Sequence, residues 1–161
     1  MSADILKLIP VDPRFVPSRA AQSRAVDALA GKFPEGHDCE AEDHGHVAFI
    51  DQGENLEAII CPACSKRIPF YDTTEAETIQ AWWHDATDDL SVEDVEELNV
   101  VMPCCSRSVP LVTLRFDWPA GFARFELSIW DPGIGENLAE AELAEFETIL
   151  GCKLRQVRAH Y

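Results

Sequence analysis

Positive charge is scarce in this chain: 13 Lys and Arg stand against 29 Asp and Glu in 161 residues, a net charge of −16. A nucleic-acid binder needs a basic face to displace counterions from phosphates, so this composition argues against nucleic acid as a partner. Long apolar runs are missing too. No stretch approaches the ~18 residues of a membrane-crossing helix, and no span is expected. The opening MSADILKLIP has neither a basic region leading into an apolar run nor a small-residue cleavage site. It does not read as an export signal, and a cytoplasmic location is expected. A nucleophile elbow, an HExxH helix and a phosphate-binding loop are all absent from the sequence, which leaves the common hydrolytic and nucleotide chemistries without their scaffolds. Six cysteines in such a setting are expected as reduced thiols, favouring metal binding over a disulfide framework.

What the chain does have is a repeat. Residues 59–70 read IICPACSKRIPF and residues 100–111 read VVMPCCSRSVPL. Aligned without gaps, they match Cys61 with Met102, Pro62 with Pro103, Ala63 with Cys104 and Cys64 with Cys105. Ser65 then matches Ser106, and Pro69 matches Pro110. The pair resembles the two knuckles of a zinc ribbon, in which the second has lost the first cysteine of its CxxC and gained one beside the last.

Around the repeat, hydrophobic pattern and turn chemistry predict the elements. Ile5–Ile9 reads as a strand leaving into Asp12-Pro13. A helix follows, capped by Ser18, with Ala21, Ala25, Val26 and Leu29 at helical spacing and a stop at Gly31 and Pro34. From Phe33 to Ile60 there are eight acids and no Lys or Arg. Within that segment His46–Asp51 is expected as a strand and the part before it as a loop. Glu57–Ile60 feeds the first knuckle, and Thr73–Ala86 reads as a helix burying Ile79, Trp82, Trp83 and Ala86. Ser91 and Asp94 have the spacing of a capping box, and Asn99–Met102 leads into the second knuckle. Phe122–Ile129 is the clearest strand; Asp131-Pro132 turns it, and Asn137 is expected to cap a helix ended by Gly151. Lys153–Val157 closes the chain as a strand, where Lys153, Arg155 and Arg158 are expected to balance acids on the neighbouring helix.

The two ends echo each other. Strand, Asp12-Pro13, helix, Gly31, strand is repeated as strand, Asp131-Pro132, helix, Gly151, strand. The expected class is therefore α+β: a ferredoxin-like body of two βαβ halves (1–51 and 118–161) with a zinc-ribbon-like lobe (52–117) inserted between them.

Structural zinc takes four soft ligands at tetrahedral corners, and a CxxC turn supplies two. Cys61, Cys64 and Cys105 are the natural candidates. Met102 is a poor fourth, because a thioether is neutral, so Cys104 is expected to replace it, with His84 in reserve. A second cluster, His37, Cys39, His44 and His46, has residue types that suit a metal. Asp43, His44 and His46 can also be read as a hydrolytic set, without a supporting motif. Trp82 and Trp83 cannot both face the same way on a helix, while Trp118 and Trp130 flank the clearest strand.

GENLE before CPAC, the WW helix, the later PCC, WPAGFARFELS and the terminal LGCKLRQVRAHY together resemble a group of small, uncharacterised bacterial proteins. The likeness runs from about residue 47 onward. It implies a bacterial cytoplasmic protein and carries no activity. The expected role is binding, with zinc replacing a core that the inserted lobe is too small to build and an acidic, tryptophan-bearing face meeting a basic protein. Two alternatives stand beside it. One is a small enzyme using Cys104 or a His of the acidic segment, and the other an acidic immunity-type protein that neutralises a basic toxin.

Overall fold

Two strands rich in apolar residues sit at the centre of the fold, and the remaining elements are arranged around them. The computed structural model describes residues 2–87, 95–134 and 137–161. Strand β1 (Asp4–Pro10) is flanked by the later strands β8 (Gly121–Trp130) and β9 (Leu154–His160), and β2 (His37–Ile50) lies outside β8. The four-stranded sheet thus has the order β2-β8-β1-β9 with every neighbour antiparallel. Leu6, Leu8, Phe125, Leu127 and Ile129 are buried beneath helices α1 (Arg19–Lys32) and α3 (Glu140–Leu150). Alternate residues point to opposite faces of a strand, which sends Ile5 and Lys7 of β1 to the other side of the sheet. The chain is therefore α+β, with three α-helices and antiparallel sheets among the described residues.

The helix ends follow local chemistry, with two departures from expectation. Ser18 caps α1 as expected, its Oγ accepting from the Ala21 N–H at 3.2 Å. Gly31 does not stop this helix, which runs to Lys32 and is closed by Phe33, whose N–H reaches the Leu29 carbonyl. Ala139, not Asn137, stands at the start of α3, because Glu142 reaches back to accept from the Ala139 N–H at 3.1 Å. Gly151 ends α3 in the left-handed conformation at φ 76°, as its position after the apolar stripe implies.

β2 is the largest correction. Only its end, from His46, is expected as a strand, yet it begins at His37 and pairs with β8 from His37↔Trp130 to Ile50↔Gly121. The acids and glycine of this segment have low strand propensity, but a ten-residue β8 offers an outer row of backbone groups, and pairing them outweighs propensity. The ladder slips between Asp43 and Ala48, at Gly45 with φ 79°, which marks a bulge.

Between β2 and β8 the chain folds back on itself twice. β3 (Ala58–Ile60) pairs with β4 (Arg67–Pro69) and with β7 (Arg115–Phe116), and β5 (Asn99–Val101) pairs with β6 (Ser108–Pro110). Helix α2 (Ala76–Thr87) lies between the hairpins in sequence. The Ser91–Asp94 capping box lies outside the described residues. These elements enclose their own apolar core around Ile59, Ile68, Phe70, Met102, Val109 and Leu111, continued into the sheet by Val47 and Phe122. The segment is thus not too small to bury a core, because the ends of β2 and β8 complete it.

Candidate metal centre

The repeat in the sequence is a repeat in space. In the first hairpin Ile59 faces Ile68 and Ile60 faces Arg67; in the second Val100 faces Val109 and Val101 faces Ser108. Each turn closes by the same two backbone bonds. Cys61 N–H donates to the Lys66 carbonyl and Ser65 N–H to the Cys61 carbonyl, while Met102 and Ser106 do the same with Arg107 and Met102, all at 2.9 Å. Ser65 and Ser106 adopt φ of 62° and 59°, a left-handed conformation that glycine takes most readily. The tight turn survives without glycine, at the cost of a left-handed residue in each knuckle.

These turns bring Cys61, Cys64, Cys104 and Cys105 together, with all four Sγ atoms within 4.8 Å of one another. Cys61 Sγ lies 3.9 Å from Cys105 Sγ, and Cys64 Sγ lies 3.4 Å from Cys104 Sγ. Cys61 is buried, Cys104 and Cys105 are half-buried, and Cys64 is exposed. Neighbouring cysteines alternate in an extended chain, but residues 103–105 form a turn, so both sulfurs reach the cluster. Met102 turns into the apolar core, fully buried. His84, the reserve ligand, is exposed on α2 and outside the cluster.

The electrostatics of the thiols are split. Burial pushes the Cys61 thiol up, yet the N–H groups of Cys64 and Ala63 and the thiols of Cys104 and Cys64 outweigh it and bring it down to about 7. Burial, followed by the hydrogen bonds with Cys64, Cys61 and Cys105, pushes Cys104 up to about 12. Four sulfurs this close cannot all ionise unless a cation lies between them. With one, they form a four-thiolate site able to hold a metal ion.

The second sequence cluster is not assembled. His37 sits at the start of β2, where Nδ1 meets Asp38 at 2.8 Å and Nε2 meets Asp131 at 3.1 Å. Cys39 packs toward α1, its Sγ 3.6 Å from the Val26 carbonyl. His44 Nε2 lies 2.9 Å from Glu126 and its Nδ1 3.5 Å from Glu42. The bond with Glu126 outweighs burial and raises the His44 pKa. His46 joins none of them. The four residues share a strand, but its register shifts between His37 and Glu40 and between Asp43 and Ala48 break the alternation that would set His37 beside Cys39 and His44 beside His46. The set Asp43, His44 and His46 fails for a related reason, since Asp43 is taken by Arg124 in a two-pronged ion pair at 2.8 and 3.1 Å. The trio Glu42, His44 and Glu126 was not legible in the sequence, because Glu126 arrives from β8.

The tryptophans of α2 are both half-buried. Trp82 Nε1 donates to the Val101 carbonyl at 2.8 Å, and Trp83 packs edge-on against Phe49, Phe70 and Phe116. They join the two hairpins to the sheet. Of the basic trio at the C-terminus, Lys153 faces a helical acid, Glu147 at 3.7 Å. Arg158 donates to the Ile134 carbonyl at 2.8 Å, and Arg155 lies toward the Ala120 carbonyl. None of the described helices is long and apolar enough to cross a membrane.

Comparison with protein-family models, with curated proteins and with solved structures finds no match for this chain.

Proposed function

We propose that this protein holds a structural zinc ion through Cys61, Cys64, Cys104 and Cys105 and works as a binding module for a basic protein. The observation that carries the metal assignment is the spacing of the four sulfurs. Tetrahedral zinc with bonds of ~2.3 Å sets its sulfurs ~3.8 Å apart, and the separations of 3.4 and 3.9 Å bracket that edge. Thiolate donors select zinc over the hard divalent cations. Four protein ligands would leave no open position for substrate, which favours a structural over a catalytic role.

In the same proposal the four-stranded sheet is a ferredoxin-like body, 1–51 and 118–161, and residues 52–117 are an inserted zinc-ribbon-like lobe. The strand order β2-β8-β1-β9, with one helix following β1 and one following β8, supports the first assignment. The paired knuckles support the second. A bacterial cytoplasmic setting belongs to this proposal as well. The lobe exposes Glu75, Glu77 and Asp85 along and before α2, a surface suited to basic side chains.

Elemental analysis of protein purified without added metal tests the zinc assignment. One equivalent of zinc is expected, and protein with four reactive thiols and no metal sinks it. For the partner, the expected result is a basic protein captured at low salt and released at high salt. Capture must be lost in the Glu75→Gln, Glu77→Gln, Asp85→Asn variant and kept when Asp27, Glu35 and Glu40 are neutralised instead. Equal loss in both would reduce the attraction to bulk charge.

A further inference from the structure

In a chain this acidic, basic side chains are expected to find carboxylates. Arg14, Lys32, Arg67, Arg124 and Lys153 do so, pairing with Glu96, Glu142, Asp117, Asp43 and Glu147. Arg115 and Arg155 do not: among the described residues neither guanidinium meets a carboxylate, and these two arginines line one cleft together.

The cleft, of about 640 Å³, lies where the lobe meets the sheet. One wall is the start of β7, with Thr113, Leu114 and Arg115; the other carries Asn137, Leu143 of α3 and Arg155 of β9. Among the described residues no Asp or Glu lines it, whereas the clefts beside α1, α2 and the end of α3 each have at least one. Its size and mixed lining are those of small-molecule sites, which favour the junction of two folded units.

The fold sets where both arginines stand. Arg115 pairs with Ile60 across the β3–β7 ladder. Arg155 lies over Gly121 at the start of β8, with Nη1 3.5 Å from the Ala120 carbonyl. A Cβ at position 121 would come within 3.0 Å of that nitrogen and 2.9 Å of Ile9. Glycine is what allows the guanidinium to cross there. Planar guanidinium forks match carboxylates and phosphates, while the surrounding charge of −16 repels extended polyanions and admits only a small anion.

We propose that this cleft binds a small amphiphilic anion, its charged head held by Arg115 and Arg155 and its apolar tail against Leu114 and Leu143. The site does not require the cysteines to hold a metal, so it stands or falls separately from the zinc assignment.

Calorimetric titration of the full chain with octanoate, 1-octanol and octyltrimethylammonium tests it, since the three probes share a tail and differ in charge. Octanoate is expected to saturate one site per chain and to bind at least about tenfold more tightly than the other two. The Arg115→Met, Arg155→Met variant should weaken octanoate by at least about tenfold, with its melting midpoint and metal content unchanged. Absence of saturable octanoate binding, similar binding of all three probes, or undiminished binding by a folded variant overturns the proposal. The three-probe comparison uses the unaltered protein, so it decides the question even if the variant fails to fold. Octyl phosphate, titrated in parallel, distinguishes a phosphate head from a carboxylate one.

Discussion

At the scale of single residues, the fourth sulfur decides the chemistry. Met102 occupies the position that aligns with Cys61, yet its side chain is fully buried in the lobe core, where a neutral thioether packs well. Cys104 takes its place beside Cys64. Replacing Cys104 with serine is therefore expected to drop the metal content well below one equivalent and to lower the melting temperature. His84→Ala should leave both unchanged, since His84 is exposed and outside the cluster. Metal analysis with thermal melts of the two variants checks this, and the opposite pattern would move the ligand to His84.

The two knuckle serines carry the other residue-scale consequence. A left-handed non-glycine residue costs roughly 1–2 kcal/mol, part of which glycine returns as unfolded-state entropy. Ser65→Gly, at φ 62°, is expected to stabilise the folded chain by up to about 1 kcal/mol. Ser65→Val should destabilise it, because a branched Cβ tolerates that conformation least. Urea midpoints of metal-loaded protein measure both.

At the scale of elements, β2 shows how a ladder can override composition. Its register sets Glu42 opposite Glu126, an unfavourable pairing of like charges. His44, beyond them on β2, lies close to both carboxylates and joins the pair when protonated. The His44 pKa is raised in the folded chain, first by its bond with Glu126 and against the effect of burial. A raised folded pKa means the protonated ring is favoured by folding. Its stabilisation is complete below about pH 6.5, the unfolded value, and is lost as pH rises through the higher folded value. Metal-loaded protein is thus expected to lose stability across neutral pH, and His44→Gln to flatten that slope. Unfolding free energies measured at a series of pH values check it. His37 and His160 shift in the same direction through Asp38 and Asp4, but both are solvent-screened, and His44→Gln isolates the half-buried ring.

At the scale of the whole molecule, two cores meet at the ends of β2 and β8. The sheet core under α1 and α3 is independent of the four clustered cysteines, whereas the lobe core includes Cys61 and Met102 and is packed by Cys104 and Cys105. Removing the metal should therefore not unfold the chain as a unit. Chelation is expected to open amides in 58–87 and 95–116 to hydrogen exchange while β1, β8 and β9 stay protected. Uniform exchange after chelation would mean that the cores are coupled more tightly than their separate packing implies. Partial order in the lobe should persist, since Ile59, Ile68, Phe70 and Leu111 remain buried against one another.

Local pattern was enough to determine much of this protein from sequence. The apolar runs of β1 and β8, the stripe of α1 with its Ser18 cap, the Gly151 stop and the duplicated knuckle each depend on residues a few positions apart. Spacing reports such interactions directly. Cys61, Cys64 and Cys105 were legible for the same reason, from the CxxC and its repeat, and Cys104 as the thiol that could replace Met102. Tertiary structure alone decided the rest. It extended β2 back to His37 by offering the free edge of β8, scattered His37, Cys39, His44 and His46, and joined Glu126 to His44 across 82 positions of chain. It also turned Cys104 inward where an extended chain would send it out. Each of these depends on a partner distant in sequence, and a backbone edge or a fold-back leaves no periodic mark on the residues that receive it.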